Sequence, residues 1–202
     1  MSKETNTRRP HSVQRVIIVH GYEAAPDAHW FPWLQDALQA DGASVTAVPL
    51  PAPDDPDRAA WEKAVGAALG VPDAKTAVVA HSLGAITALR VLASLPEPWE
   101  LGCLILVAGF VEQLDALPEL DRYLATDVDV ERLAKSIGKR TIIRSDTDPF
   151  VPPAASDDLA KRLDAQLQIH PEAGHFMAED GVTEFPALLN LLRSPWQRAI
   201  RS

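Results

Sequence analysis

Six short apolar runs, rich in β-branched residues, alternate along this 202-residue chain with stretches of helical periodicity. The runs are Val16–His20, Ser44–Pro49, Thr76–Ala80, Cys103–Ala108, Arg140–Arg144 and Gln166–His170. After the first, a helical stretch starting near Asp27 sets Trp30, Trp33, Leu34, Ala37 and Leu38 on one helix face, with Gly42 placed as its stop. Trp61, Ala64, Val65, Ala68 and Leu69 repeat that spacing, with Asp57 as N-cap and Gly70 as stop. Further helical stretches carry Ile86, Leu89, Leu92 and Ala93, then Val130, Leu133, Ala134 and Ile137. The last two span Ala154–Leu163 and Phe185–Arg193. Strand and helix in strict alternation predict a parallel sheet covered by helices on both faces. The Cys103–Ala108 run shows no polar alternation, as expected of a strand buried on both sides. In open sheets of this kind ligands bind beyond the carboxyl ends of the strands.

Three of those ends carry residue types that acyl transfer requires. Thr76–Ala80 runs into Ala80-His81-Ser82-Leu83-Gly84, Arg140–Arg144 into Ser145-Asp146-Thr147-Asp148-Pro149-Phe150, and Gln166–His170 leads to Gly174-His175-Phe176. A hydroxyl becomes a useful nucleophile when a base takes its proton, and an imidazole serves best when a carboxylate fixes its tautomer. The order Ser, acid, His is that of α/β-hydrolases. Ser82 is the expected nucleophile, His175 the base and Asp148 the acid. Asp146 is the competing carboxylate, on the same turn. A strand turning sharply into a helix around Ser82 needs small flanking residues, which Ala80 and Gly84 provide. The backbone amide of Leu83 and that of Tyr22, in the loop after the first strand, are the expected oxyanion donors.

These segments, with Ile17-Ile18-Val19-His20-Gly21-Tyr22 and His29-Trp30-Phe31-Pro32-Trp33-Leu34, resemble the compact serine hydrolases that include retinoblastoma-binding protein 9 and small bacterial relatives. The likeness spans Val16 to about Leu192. It implies a minimal three-layer α/β-hydrolase fold without a large lid, a Ser/Asp/His triad, and no cofactor; separately, no His/Cys/Asp/Glu spacing in the sequence resembles a zinc site. The Ala at position 80, where the general motif has Gly, fits that family.

The remaining features narrow the partners. A net charge of −9 argues against nucleic acid or an anionic membrane as the main partner. Met1–Gln14 is polar and lacks an apolar core, so it reads as a tail carrying His11 rather than a signal peptide, and residues 15–202 as one domain. The single cysteine, Cys103, reads as a buried strand residue, and the expected location is cytoplasmic. His20 is expected to hold the oxyanion loop, His81 to pack beside the elbow, and His170 to compete only weakly with His175. His20, His29, Trp30 and Phe150 are candidates for the substrate pocket, although Trp30 and Trp33 share a helix face and read first as core. The segment 110–129, with Leu114, Leu117, Leu120 and Tyr123, leaves room for a small cover and an open site suited to short acyl chains.

The expected activity is hydrolysis of a small carboxylic ester, or of a thioester or activated amide, through an acyl-enzyme. It should rise with pH as the base loses its proton. A binding module on a hydrolase scaffold, and an acyltransferase or perhydrolase using the same triad, are the alternatives.

Overall fold

The computed structural model describes residues 13–194. The expected tail, His11 included, lies outside them apart from Val13 and Gln14. Six strands form one sheet in the order β2-β1-β3-β4-β5-β6, and every neighbouring pair is parallel. They are β1 Arg15–Val19, β2 Ser44–Ala47, β3 Thr76–His81, β4 Leu101–Val107, β5 Ile137–Ser145 and β6 Gln166–His170. Alternate strand residues serve opposite faces. Ile17, Val19, Val78, Leu104 and Ile142 pack with α2 (Arg58–Leu69), α3 (Leu83–Ser94) and α6 (Pro153–Arg162). Val16, Ile18, Val79, Ile105 and Ile143 pack with α1 (Phe31–Ala40) and α7 (Pro186–Arg193). The result is the expected three-layer arrangement.

Two predicted helices begin or end elsewhere. Residues 27–30 form a turn, with His29 at φ 53°, and α1 starts at Phe31 with Pro32 in its first turn, where a missing N–H costs nothing. The stretch expected to hold a helix through Ile137 makes one turn, α5 (Val130–Leu133), capped by Asp129. Ile137 instead opens β5, whose Gly138 would place a Cβ 2.7 Å from the Gly102 carbonyl oxygen. The side chain there must be absent for β5 to pair with β4.

The segment after β4 forms a turn of 3₁₀ helix at Pro118–Leu120 and the single-turn α4 (Asp121–Leu124). It is tied to α3: the Tyr123 hydroxyl and Thr87 Oγ1 lie 2.7 Å apart, and Arg90 donates to the carbonyls of Tyr123 and Thr126. Among the described residues no helix is long and apolar enough to cross a membrane.

The strand order sets the place of the site. From β1 the chain goes outward to β2 and then returns to the other side of β1 as β3. Loops leaving the carboxyl ends of β1 and β3 therefore diverge, and a crevice opens between them.

Candidate active site

Ser82 stands at that crevice, between the last residue of β3 and the first of α3. Its backbone is at φ 53°, ψ −125°, a region costing an L-residue about 1–3 kcal/mol. The strain is held by packing. The Ser82 amide donates to the Val107 carbonyl at 2.9 Å, and Ala85 N to the Ser82 carbonyl at 2.9 Å. Gly84 lets α3 rest on β1, since a Cβ there would lie 2.5 Å from the His20 oxygen and 2.6 Å from that of Val19. Ala80 sits inside β3 opposite Val19, fully buried and with ordinary strand geometry, so its methyl is accommodated.

His175 reaches Ser82 from the loop after β6. Its Nε2 lies 2.9 Å from Ser82 Oγ, and its Nδ1 lies 2.8 Å from Asp148 Oδ2. Both ends of this pair are shielded, at 6% and 3% side-chain exposure. The second oxygen of Asp148 accepts the amides of Phe150 and Val151, at 2.9 and 3.0 Å, which fixes the carboxylate in its turn. Asp146 takes no part in this chain of bonds; it is exposed and accepts the Glu172 amide at 2.8 Å. The carboxylate reaching the imidazole is thus that of Asp148, and Asp146 ties the β5 loop to the β6 loop.

The other expected site residues separate into supports and walls. The His20 ring is buried, with Nδ1 2.9 Å from the Gly21 carbonyl and Nε2 accepting the Leu50 amide at 3.3 Å. That pattern places the proton on Nδ1, and burial lowers the pKa of the ring. His20 therefore braces the loop after β1 and offers no surface to a ligand, so its place among the pocket candidates is corrected. Trp30 is likewise fully buried; its indole donates to the Phe176 carbonyl at 3.2 Å, and it belongs to the core rather than the pocket. His29 is half-buried and accepts the Ala178 amide on Nδ1 at 3.1 Å, holding the segment that follows His175. Burial lowers its pKa as well. Phe150 is half-buried with its ring 5.1 Å from that of His175, edge to face, so of the four it alone stands beside the imidazole with surface to spare. His170 packs edge-on against Phe185 at 5.2 Å.

Tyr22 follows Gly21, whose added Cβ would lie 2.8 Å from Ser82 Cβ; the loop after β1 thus passes directly over the elbow. Among the described residues no protein acceptor takes the Tyr22 or Leu83 amide.

One support has a larger part than its place beside the elbow suggested. His81, 2% exposed, donates from Nε2 to the His175 carbonyl at 2.8 Å, and the two rings lie 4.9 Å apart. Its Nδ1 is buried without a partner, and burial, then the neighbouring His175, pushes its pKa well below the ordinary 6.5. His81 thus stays neutral and pins the backbone of His175. From the other side the Asp180 carboxylate accepts the amides of His175 and Met177, at 2.8 and 3.0 Å.

A parallel sheet with helices on both faces, a strained Ser on a strand-to-helix turn, and an imidazole between that Ser and an Asp define the α/β-hydrolase class. Comparison with known proteins agrees and goes further. Residues 16–194 match the family model described as Serine hydrolase, and the chain belongs to that family. It is 35% identical to YdeN of Bacillus subtilis (strain 168) over 93% of this chain and 99% of that protein. It is 29% identical to Serine hydrolase RBBP9 of Rattus norvegicus, over 82% and 85%. The crystal structure of the B. subtilis ydeN gene product superposes with a TM-score of 0.85 at 36% identity, covering 89% of this chain and 96% of that one.

Proposed function

We propose that this serine hydrolase cleaves small carboxylic esters through an acyl-enzyme on Ser82. The observation that carries the reading is the unbroken chain from Ser82 Oγ through His175 to Asp148, at 2.9 and 2.8 Å, on a strained elbow. His175 accepts the Ser82 proton as Ser82 attacks the carbonyl, and Asp148 steadies the imidazolium. The amides of Tyr22 and Leu83 receive the oxyanion, and loss of one such donor typically costs on the order of 10²–10³ in rate. His175 then gives its proton to the leaving alcohol, takes one from water as the hydroxide adds to the acyl carbonyl, and returns it to Ser82 Oγ as the bond to the serine breaks and the acid leaves. The small cover supports short acyl chains over long ones.

The test is a panel of p-nitrophenyl esters of rising chain length, run with wild type and Ser82→Ala alongside labelling by a fluorophosphonate. Turnover and labelling that both vanish in Ser82→Ala, with short chains faster than long, are the expected result. A wild-type protein that neither labels nor turns over any ester is the outcome for a binding module. Undiminished activity in Ser82→Ala would remove Ser82 from the mechanism.

A further inference from the structure

The loop that carries His175 takes up left-handed backbone at every second residue: Glu172 at φ 55°, Gly174 at φ 54° and Phe176 at φ 60°. For Glu172 and Phe176 that region is sparsely populated and persists only where the surroundings over-determine it. The turn after β5 supplies much of that hold. Ser145, Asp146, Thr147 and Asp148, four residues in a row, each put a side-chain oxygen on one of residues 172–175, also four in a row. Asp146 Oδ1 accepts the Glu172 amide at 2.8 Å, Ser145 Oγ that of Ala173 at 3.2 Å, and Thr147 Oγ1 that of Gly174 at 3.2 Å. Asp148 Oδ2 completes the set, 2.8 Å from His175 Nδ1.

Two hydroxyls form the middle of this clamp. Ser145 is the last residue of β5 and is buried. Its Oγ accepts the Thr147 amide at 3.1 Å, within the turn, and the Ala173 amide at 3.2 Å, across to the other loop. Those bonds occupy both lone pairs, so the Ser145 proton is left for Thr147 Oγ1, 3.2 Å away. Thr147 Oγ1 thus accepts from Ser145 and from the Gly174 amide. Thr147 and Gly174 immediately precede Asp148 and His175. A bond between them fixes the spacing of the two loops one residue from the point where carboxylate meets imidazole. The Asp180 carboxylate, by contrast, accepts the His175 and Met177 amides within the second loop and does not set its distance from Asp148.

We infer that Ser145 and Thr147 are positioning residues for the reaction: their hydroxyls set the spacing at which Asp148 holds His175, and through it the approach of His175 Nε2 to Ser82 Oγ. This rests on the esterase reading above. Both hydroxyls bond backbone amides of the His175 loop, so they act through that backbone and not on the substrate. Their loss should therefore lower kcat and leave KM nearly unchanged. A reacting group displaced by about 1 Å costs on the order of 10²-fold. Ser145→Ala is expected to lower kcat by about 10–10²-fold, and Thr147→Val, equal in shape but without the hydroxyl, by about tenfold. Thr147→Ser, which keeps the hydroxyl, should recover most of that loss.

The experiment is a mutant cycle with Asp148→Asn. Steady-state hydrolysis of p-nitrophenyl acetate and the rate of fluorophosphonate labelling are measured for wild type, Ser145→Ala, Thr147→Val and Thr147→Ser. Labelling is then repeated for the first two substitutions in the Asp148→Asn protein. A merely structural role would cost the same factor in either background. A positioning role has nothing to act on once Asp148 no longer holds the imidazole, so the further loss there should shrink to within about twofold. Thr147 is exposed, so its variants keep the test open if Ser145→Ala does not fold. Wild-type kcat in Thr147→Val, a Thr147→Ser protein as slow as Thr147→Val, or an undiminished loss on top of Asp148→Asn would overturn the inference and leave the esterase reading standing. A wild-type protein that neither turns over the ester nor labels would overturn the esterase reading and this inference with it.

Discussion

Asp148→Asn tests the geometry most closely, because the turn around Asp148 dictates how an asparagine would sit. Oδ1 is held by two backbone amides, from Phe150 and Val151, at 2.9 and 3.0 Å. The carboxamide has one oxygen, and those two donors claim it. Its NH₂ then occupies the place of Oδ2, 2.8 Å from His175 Nδ1. Faced with a donor, the imidazole must carry its proton on Nε2, pointing at Ser82 Oγ, and a protonated Nε2 cannot take the Ser82 proton. Turning the amide over restores the tautomer but sets the NH₂ against two N–H groups. At about 1–3 kcal/mol for each unpaired donor this costs roughly 2–6 kcal/mol, or tens- to ten-thousandfold in rate. Loss of the charge opposite the imidazolium adds to it, so kcat should fall on the order of 10⁴, about 5.4 kcal/mol. Asp146→Asn is the control, since its amide oxygen can still accept from Glu172 and rates should stay within about twofold. Steady-state hydrolysis of p-nitrophenyl acetate, with thermal unfolding to check both variants, gives the answer. An Asp148→Asn protein keeping more than about a tenth of wild-type kcat would refute the reasoning, and an equal loss in Asp146→Asn would transfer the role to that residue.

Three further outcomes follow from buried contacts. Gly84→Ala puts a Cβ 2.5 Å from the His20 oxygen and must push α3 from β1; urea denaturation should register about 1–3 kcal/mol of lost stability, and kcat should fall with it as the elbow and oxyanion loop shift. His81 titrates at about 6.5 when unfolded and well below that when folded, so the unfolded state binds the extra proton. Its contribution to stability is therefore complete above pH 6.5 and lost as pH falls below it, by up to about 1.4 kcal/mol per pH unit. His20 and His29, also lowered, act in the same sense. His81→Gln, which can still donate to the His175 carbonyl, should show a shallower decline in denaturation midpoint between pH 7.5 and 5; an unchanged slope would count against a neutral His81. Burial pushes the Cys103 thiol up to about 12, so dithionitrobenzoate should react with it only after denaturation. Rapid labelling of the native protein would contradict the strand packing.

The order of strands and helices was legible because each layer imposes its period on the chain. Val16–Val19 or Leu104–Val107 must be apolar without a break because helices cover both faces. Periodicity failed where a local device outweighed it. Ile137 continues the 3.6-residue spacing of Val130 and Leu133, yet Gly138 two strand positions from Arg140 marks a close approach of β5 to β4 that spacing cannot detect. At Asp27 the early helix start overlooked His29 and its positive φ, which swings Trp30 inward to cap α1 and bond Phe176. Two of the pocket candidates, His20 and Trp30, failed for a related reason. A His after a strand end or a Trp before a helix can point up into solvent or back into the core, and only its bonding partners decide. For His20 and Trp30 those partners are backbone groups of distant loops, Leu50 and Phe176.

His81 carries this to its limit. It ends β3 one residue before Ser82, so successive side chains diverge there: Ser82 turns out to the crevice and His81 back among His29, Trp30 and Phe31. Its acceptor is the carbonyl of His175, 94 residues away. The elbow thus fixes two things with adjacent residues: Ser82 meets the His175 ring, while His81 holds the His175 backbone. Each bond limits the freedom of the other, because a loop anchored at its carbonyl presents its imidazole from one direction. The strand-to-helix turn in the sequence marks the nucleophile, and the residue before it supplies the anchor that keeps the imidazole within 2.9 Å of Ser82 Oγ.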